Sequence, residues 1–195
     1  MNFRLLFRHL MLLSFLVACD DLPEDGQTTS MAAVSNLVPE PDTTDGRLSR
    51  LSPPEVFRDT VGTVALTVHY GAPSARGRDI FGELVPFGVI WRTGANEATT
   101  LSVSDSILFA DQPLGPGRYA LFTIPNESKW QVMLNADYDQ WGAYNYDPSL
   151  DVLTATLQPR RTAQHTEKMT FLMQRDTLQL LWADLSLPIP VRSMP

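Results

Sequence analysis

The sequence predicts an all-β protein. Residues 52–195 read as one antiparallel β-sandwich of jelly-roll-like form, or a flattened barrel, with little or no helix outside the signal peptide. Three observations carry this. Apolar residues recur with a period of two from about Leu51 onward, the mark of strands with one buried face. The alternating segments are short and are separated by Gly, Pro, Asn and Asp, which favour turns. No segment carries the longer apolar period of an amphipathic helix.

The first clear strand is Thr63–Tyr70, where Val64, Leu66, Val68 and Tyr70 share one face and Thr67 and His69 take the other. Further strands are expected at Val89–Thr93, Thr99–Ser104, Ile107–Ala110, Arg118–Pro125, Trp130–Ala136, Asp151–Gln158, Lys168–Gln174, Leu178–Asp184 and Leu185–Val191. Gly115-Pro116-Gly117, Pro125-Asn126-Glu127-Ser128 and Gln174-Arg175-Asp176-Thr177 read as the turns between them. In the last segment Leu185, Leu187, Ile189 and Val191 share a face, with Pro188 and Pro190 opposite. Proline cannot donate to a ladder, so an edge strand or a strand end is expected there. Roughly 140 residues can bury a two-sheet core without disulfides.

Ahead of this domain lie two segments of different character. Residues 1–18 hold Arg4 and Arg8, then an apolar run from Leu10 to Ala18, the pattern of a secretion signal too short to span a bilayer. Leu16-Val17-Ala18-Cys19 resembles the bacterial lipobox, which assigns Cys19, the single cysteine of the chain, to lipidation. A diacyl anchor holds where one chain is marginal, at about 0.8 kcal/mol per buried methylene. Residues 19–51 carry seven acids against Arg47 and Arg50 and no aromatic residue, so they read as a disordered, self-repelling acidic tether. The expected location is the bacterial cell envelope, attached to a membrane through that anchor, at the outer membrane on its periplasmic or surface face.

Composition excludes several functions. The 195 residues include 15 Lys+Arg against 22 Asp+Glu, for a net charge of −7. Cleavage before Cys19 removes two arginines, leaving 13 basic against 22 acidic residues, or −9. Nucleic-acid binding, which needs basic neutralisation of phosphates, is not expected. One cysteine allows no internal disulfide and no thiolate metal cage. The three histidines, with His69 and His165 in the domain, lack ligand spacing, so neither a metal nor another cofactor is expected.

Two stretches break the alternation. The first, Pro73–Thr99, gathers Arg76, Arg78, Arg92, Asn96 and Glu97 around Trp91; the second, Asp137–Asp147, holds Trp141, Tyr144 and Tyr146. If Val89–Thr93 is a strand, Arg92 points away from Trp91, and a turn at Gly94 returns Asn96 and Glu97 toward it. These groups, with Trp141, Tyr144 and Tyr146 as a stacking platform, are candidates to bind a small polar or saccharide ligand. The competing reading is structural: a buried Arg92–Glu97 pair tying a loop to the sandwich, and aromatics folded down as a lid.

The same residues carry a resemblance. Ser52-Pro53-Pro54, Arg76-Gly77-Arg78, Ile80-Phe81-Gly82, Leu84-Val85-Pro86-Phe87-Gly88, Trp91-Arg92-Thr93-Gly94-Ala95-Asn96-Glu97-Ala98-Thr99, Tyr119-Ala120-Leu121-Phe122-Thr123-Ile124-Pro125 and Trp141-Gly142-Ala143-Tyr144 resemble the bacterial exported proteins classed as domain of unknown function 2911. The likeness spans 52–190. It implies an exported globular domain and carries no catalytic role. Ala72 stands where relatives often have arginine.

The expected function is therefore that of a lipid-anchored envelope protein binding a small polar or saccharide ligand, or an envelope protein partner, through the loops 76–97 and 137–147. Two alternatives come from other classes. A glycan hydrolase would use the carboxylate pair Glu83 and Glu97, or Glu97 and Asp147, and a purely structural assembly protein would use neither.

Overall fold

The computed structural model describes residues 50–194. The expected signal segment, Cys19 and the expected tether as far as residue 49 lie outside the described residues, as does Pro195. Ten strands follow in chain order: β1 (Pro54–Val61), β2 (Val64–Gly71), β3 (Thr100–Val103), β4 (Ile107–Phe109), β5 (Gln112–Leu114), β6 (Gly117–Ile124), β7 (Trp130–Asn135), β8 (Asp151–Leu157), β9 (Arg160–Met173) and β10 (Thr177–Ser193). A single 3₁₀ turn, Pro148–Leu150, precedes β8. The strands form two open antiparallel sheets, a six-stranded one ordered β1-β2-β3-β6-β7-β8 and a four-stranded one ordered β5-β4-β10-β9. The domain is thus a sandwich and not a closed barrel.

Alternation places the core. Leu66, Val68 and Tyr70 of β2 face Phe171, Leu180 and Ile189 of the other sheet within one buried cluster, and the Tyr70 and Phe171 rings meet edge to face at 4.9 Å. Strand β6 is different, because Ala120 through Thr123 are all buried. Leu121 joins the inter-sheet core, whereas Ala120 and Phe122, with Met133 of β7 and Ala98, form a second apolar cluster on the outer face of the large sheet. Ile90, Ala143 and Tyr146 cover that cluster. The two loop stretches of the sequence therefore lie over the outer face of the sheet, and this positions the candidate site.

The structure corrects three expectations. Val89–Thr93 is no ladder strand: only Trp91 pairs, with Thr123 of β6, through reciprocal hydrogen bonds of 2.8 and 2.9 Å. His165 falls between the strands expected at Asp151–Gln158 and Lys168–Gln174, but it lies in β9, which begins at Arg160. The segments 178–184 and 185–191 are one strand folded over at Ala183, a buried residue with φ of 52°. Its two halves meet through Ser186 Oγ, which donates to Gln179 Oε1, and the Val191 N–H donates to the carbonyl of Asp176, the residue before β10, at 2.8 Å. Strand β9 follows the same corner on the outside, absorbing extra residues at two register shifts. Strand β10 is not an edge, and its prolines sit where the β9 ladder has ended at Ser186 and the β4 ladder, from Val191 onward, has not begun. No ladder donor is lost there.

Candidate functional site

The first loop is built on a strained turn. Thr93, Asn96 and Arg76 have φ of 54°, 65° and 53°, a left-handed conformation costly for a β-branched residue such as Thr93. Side chains hold it. Thr93 Oγ1 lies 3.2 Å from Thr123 Oγ1, and Thr99 Oγ1 donates to the Thr93 carbonyl at 2.8 Å. Trp91 Nε1 donates to the Gly94 carbonyl at 3.0 Å. The turn also presses on the end of β2, where a Cβ on Gly71 would stand 2.1 Å from the Ala95 carbonyl oxygen. Only glycine allows that approach.

The second loop is held from below by Asn135, fully buried at the end of β7. Its Nδ2 donates to the Asp147 carbonyl (2.9 Å) and to Asp151 Oδ1 (2.8 Å), and its Oδ1 accepts from the Asp137 N–H at 3.0 Å. Gln140 Nε2 donates to the Asp137 carbonyl at 2.6 Å. Tyr146 closes the far end: its hydroxyl donates to Asp151 Oδ2 at 2.6 Å and its ring packs on Phe122 at 5.0 Å. Burial, with the neighbouring Asp151 carboxylate, raises its phenol above the ordinary range.

The two loops then join. Glu97 and Trp141 form an antiparallel bridge, flanked by hydrogen bonds from the Ala98 N–H to the Gln140 carbonyl (3.0 Å) and from the Gly142 N–H to the Asn96 carbonyl (3.1 Å). On this fixed backbone Trp141 and Tyr144 remain 55% and 86% exposed. Arg50 Nη1 donates to both Glu97 carboxylate oxygens, at 2.6 and 2.8 Å, and its guanidinium carbon stands 5.9 Å from the Trp141 ring. Asn96 Nδ2 donates to the Ser52 carbonyl at 3.0 Å, so the start of the domain is laced to the same loop. Beside them a cleft of about 240 Å³ is lined by Arg50, Glu97, His69, Thr100 and Arg118, among others. Burial, then Arg118 and Arg58, lower the His69 imidazole below its usual range.

The expected site residues thus divide. Asn96, Glu97 and Trp141 come together, with Arg50 rather than Arg92 on the Glu97 carboxylate. Arg92 and Arg78 line a separate cleft of about 360 Å³. Arg78 spends its guanidinium on the carbonyls of Ala75 and Ser74, at 3.0 and 2.7 Å. Arg76 is exposed on that turn, its N–H donating to Glu167 Oε1 at 2.9 Å. Tyr144 lies within electrostatic reach of Arg92, and Tyr146 is tied down as a covering residue. A still larger cleft, about 690 Å³, contains Glu83 together with Asp79 and Phe87. Among the described residues no three His, Asp or Glu side chains are grouped to hold a metal ion.

Sequence reasoning did not single out Arg50, Arg118 or Asn135. Arg50 belongs to the expected tether, and the others sit at ordinary positions of an alternating strand.

The model of the family described as "Protein of unknown function (DUF2911)" matches residues 52–191. The chain belongs to this family. Comparison with curated proteins and with solved structures returns no match. The matched residues include both loops but not Arg50, and the family assigns no activity to them.

Proposed function

We propose that this is a lipid-anchored cell-envelope protein whose β-domain binds a small polar or saccharide ligand on the face built by the 94–98 and 138–146 loops. The observation that carries the reading is the exposure of Trp141 and Tyr144 on a loop whose backbone is pinned at Gln140, Trp141, Gly142 and Tyr146. Large apolar rings left outside a well-packed domain need a reason, and rigid placement lowers the ordering cost of binding. A pyranose or similar polyol offers an apolar C–H face to such rings. Glu97 and Arg50 supply an acceptor and a donor at the edge of Trp141.

The hydrolase alternative draws less support. Both oxygens of Glu97 accept from Arg50, and Asp147 Oδ1 accepts the Ser149 N–H at 2.8 Å. The lipid anchor rests on the Leu16-Val17-Ala18-Cys19 run. The test is a panel of envelope glycans and polyols screened against the full chain and Tyr144→Ala. Saturable binding that Tyr144→Ala weakens supports the reading. No ligand in the panel, together with capture of a single envelope protein lost in Tyr144→Ala, would replace it with a protein-docking face.

A further inference from the structure

In the cleft of about 240 Å³ beside Glu97 the charges do not cancel. Its lining holds two carboxylates, and each already has a cation. Glu97 accepts from Arg50 at 2.6 and 2.8 Å, and Glu55 Oε1 accepts from Lys168 Nζ at 2.7 Å. Arg118 and His69 line the same cleft, are both exposed, and form no ion pair among the described residues. Arg118 is nevertheless held in place: its Nε donates to Thr100 Oγ1 at 3.3 Å, and its guanidinium carbon stands 5.0 Å from the Tyr138 ring. Its two terminal nitrogens have no protein acceptor among the described residues.

Strand register gathers the positive groups on the outer face of the large sheet. Arg58 of β1 stands opposite Thr67 of β2, Thr67 opposite Ser102 of β3, and Ser102 opposite Arg118 of β6, while His69 pairs with Thr100 two residues along. By alternation none of these four strands turns an acid to that face. Glu55 and Asp59 of β1 alternate to the other side. The His69 pKa is lowered by burial and then by Arg118 and Arg58, so their field reaches it without a compensating anion.

The second loop brings a ring to each of two cations. Tyr138 meets Arg118, and three residues on Trp141 meets Arg50. Arg50 is neutralised by Glu97, and Arg118 is not. The cleft is smaller than the roughly 300 Å³ at which pockets begin to enclose a whole ligand. It therefore suits one end of a ligand whose remainder lies on the exposed rings.

We infer that the saccharide taken by this face is acidic, with the carboxylate of a uronic-acid unit accepting from the terminal nitrogens of Arg118 beside His69 and the rest of the chain running toward Trp141 and Tyr144. This rests on the polar-face reading and names its ligand class. A guanidinium and a carboxylate match as two planar groups joined by charge-assisted hydrogen bonds. A neutral sugar would leave those donors to water.

The test is calorimetric titration of the full chain with oligomers of galacturonate and of glucuronate, with the methyl esters of both, and with inorganic phosphate. The expected result is saturable binding of at least one acid, with its ester about tenfold weaker or worse. Arg118→Gln should bring the acid down to the level of the ester and leave the ester unchanged. Trp141→Ala and Tyr144→Ala should weaken acid and ester alike. Equal binding of acid and ester, or an acid affinity indifferent to Arg118→Gln, would overturn the inference while the polar face stands. Binding of neither acids nor esters, nor of any neutral glycan, would overturn both. Phosphate bound as tightly as the acid, or acid binding untouched by Trp141→Ala and Tyr144→Ala, would overturn the inference as well, since Arg118 would then be a bare anion patch. Should Arg118→Gln fail to fold, the comparison of acid with ester on wild type decides alone.

Discussion

At the scale of single residues, the outer face of the large sheet sets a pH dependence. His69 points out of β2, and burial followed by Arg118 and Arg58 lowers its pKa from the ordinary 6.5. The unfolded chain therefore binds this proton more readily than the folded one. Its contribution to stability is complete above about 6.5 and is lost as pH falls through the lower folded value. Urea titrations of wild type and His69→Gln across that window should show a steeper fall for wild type below pH 6.5. Identical slopes would mean that His69 is not disfavoured as a cation in the folded state. His165, in contrast, faces a carboxylate, with Nε2 3.4 Å from Glu167 Oε2.

At the scale of elements, the corner at Ala183 joins the two halves of β10. Its φ of 52° and its burial leave little room for a β-branched side chain. Ala183→Val should cost about 2–4 kcal/mol in chemical denaturation, whereas Ala183→Gly should stay within about 1 kcal/mol of wild type. A valine variant as stable as wild type would show that the corner can relax. The same element explains what was legible in the sequence. Val64, Leu66 and Val68 of β2 were readable because β2 is buried on one face alone. The first half of β9, Arg160-Arg161-Thr162-Ala163-Gln164-His165, reads as a loop because it is mostly exposed and polar, as edge strands commonly are. Strand β1 is the other case: it lies at the edge of the large sheet and exposes Arg58 and Asp59, which mask its alternation. The Trp91 segment misled for the opposite reason. Its apolar residues are spent on the floor of a loop, where one paired residue suffices.

The same limit applies to the candidate site. Aromatic and charged residues clustered at 91–97 and 138–146 marked the two loops, and the structure joins them through the Glu97–Trp141 bridge. The partner of Glu97 was not legible, because Arg50 is brought in across 47 residues from a segment with the composition of a tether.

For the whole molecule in its proposed mature form, the charge lies mostly outside the folded domain. Cleavage before Cys19, as proposed, would leave −9, of which −5 belongs to residues 19–51, while residues 52–195 carry 11 basic against 15 acidic residues, or −4. Long-range electrostatics of the domain are therefore mild, which on the proposed function leaves recognition to its loops. The proposed attachment rests on the single Cys19. Cys19→Ser should abolish incorporation of labelled palmitate and release the protein from the membrane fraction of a bacterial host. Undiminished labelling would mean that Cys19 is not the acylated residue. The polar face itself is tested most directly by measuring ligand affinity and thermal midpoint together for wild type and Trp141→Ala. Because Trp141 is exposed and its backbone contacts do not depend on the indole, affinity for the panel's best ligand should fall by about tenfold or more. The midpoint should move by no more than about 2 °C. A large drop in midpoint with affinity unchanged would contradict the account, because the ring would then hold the fold together and not a ligand.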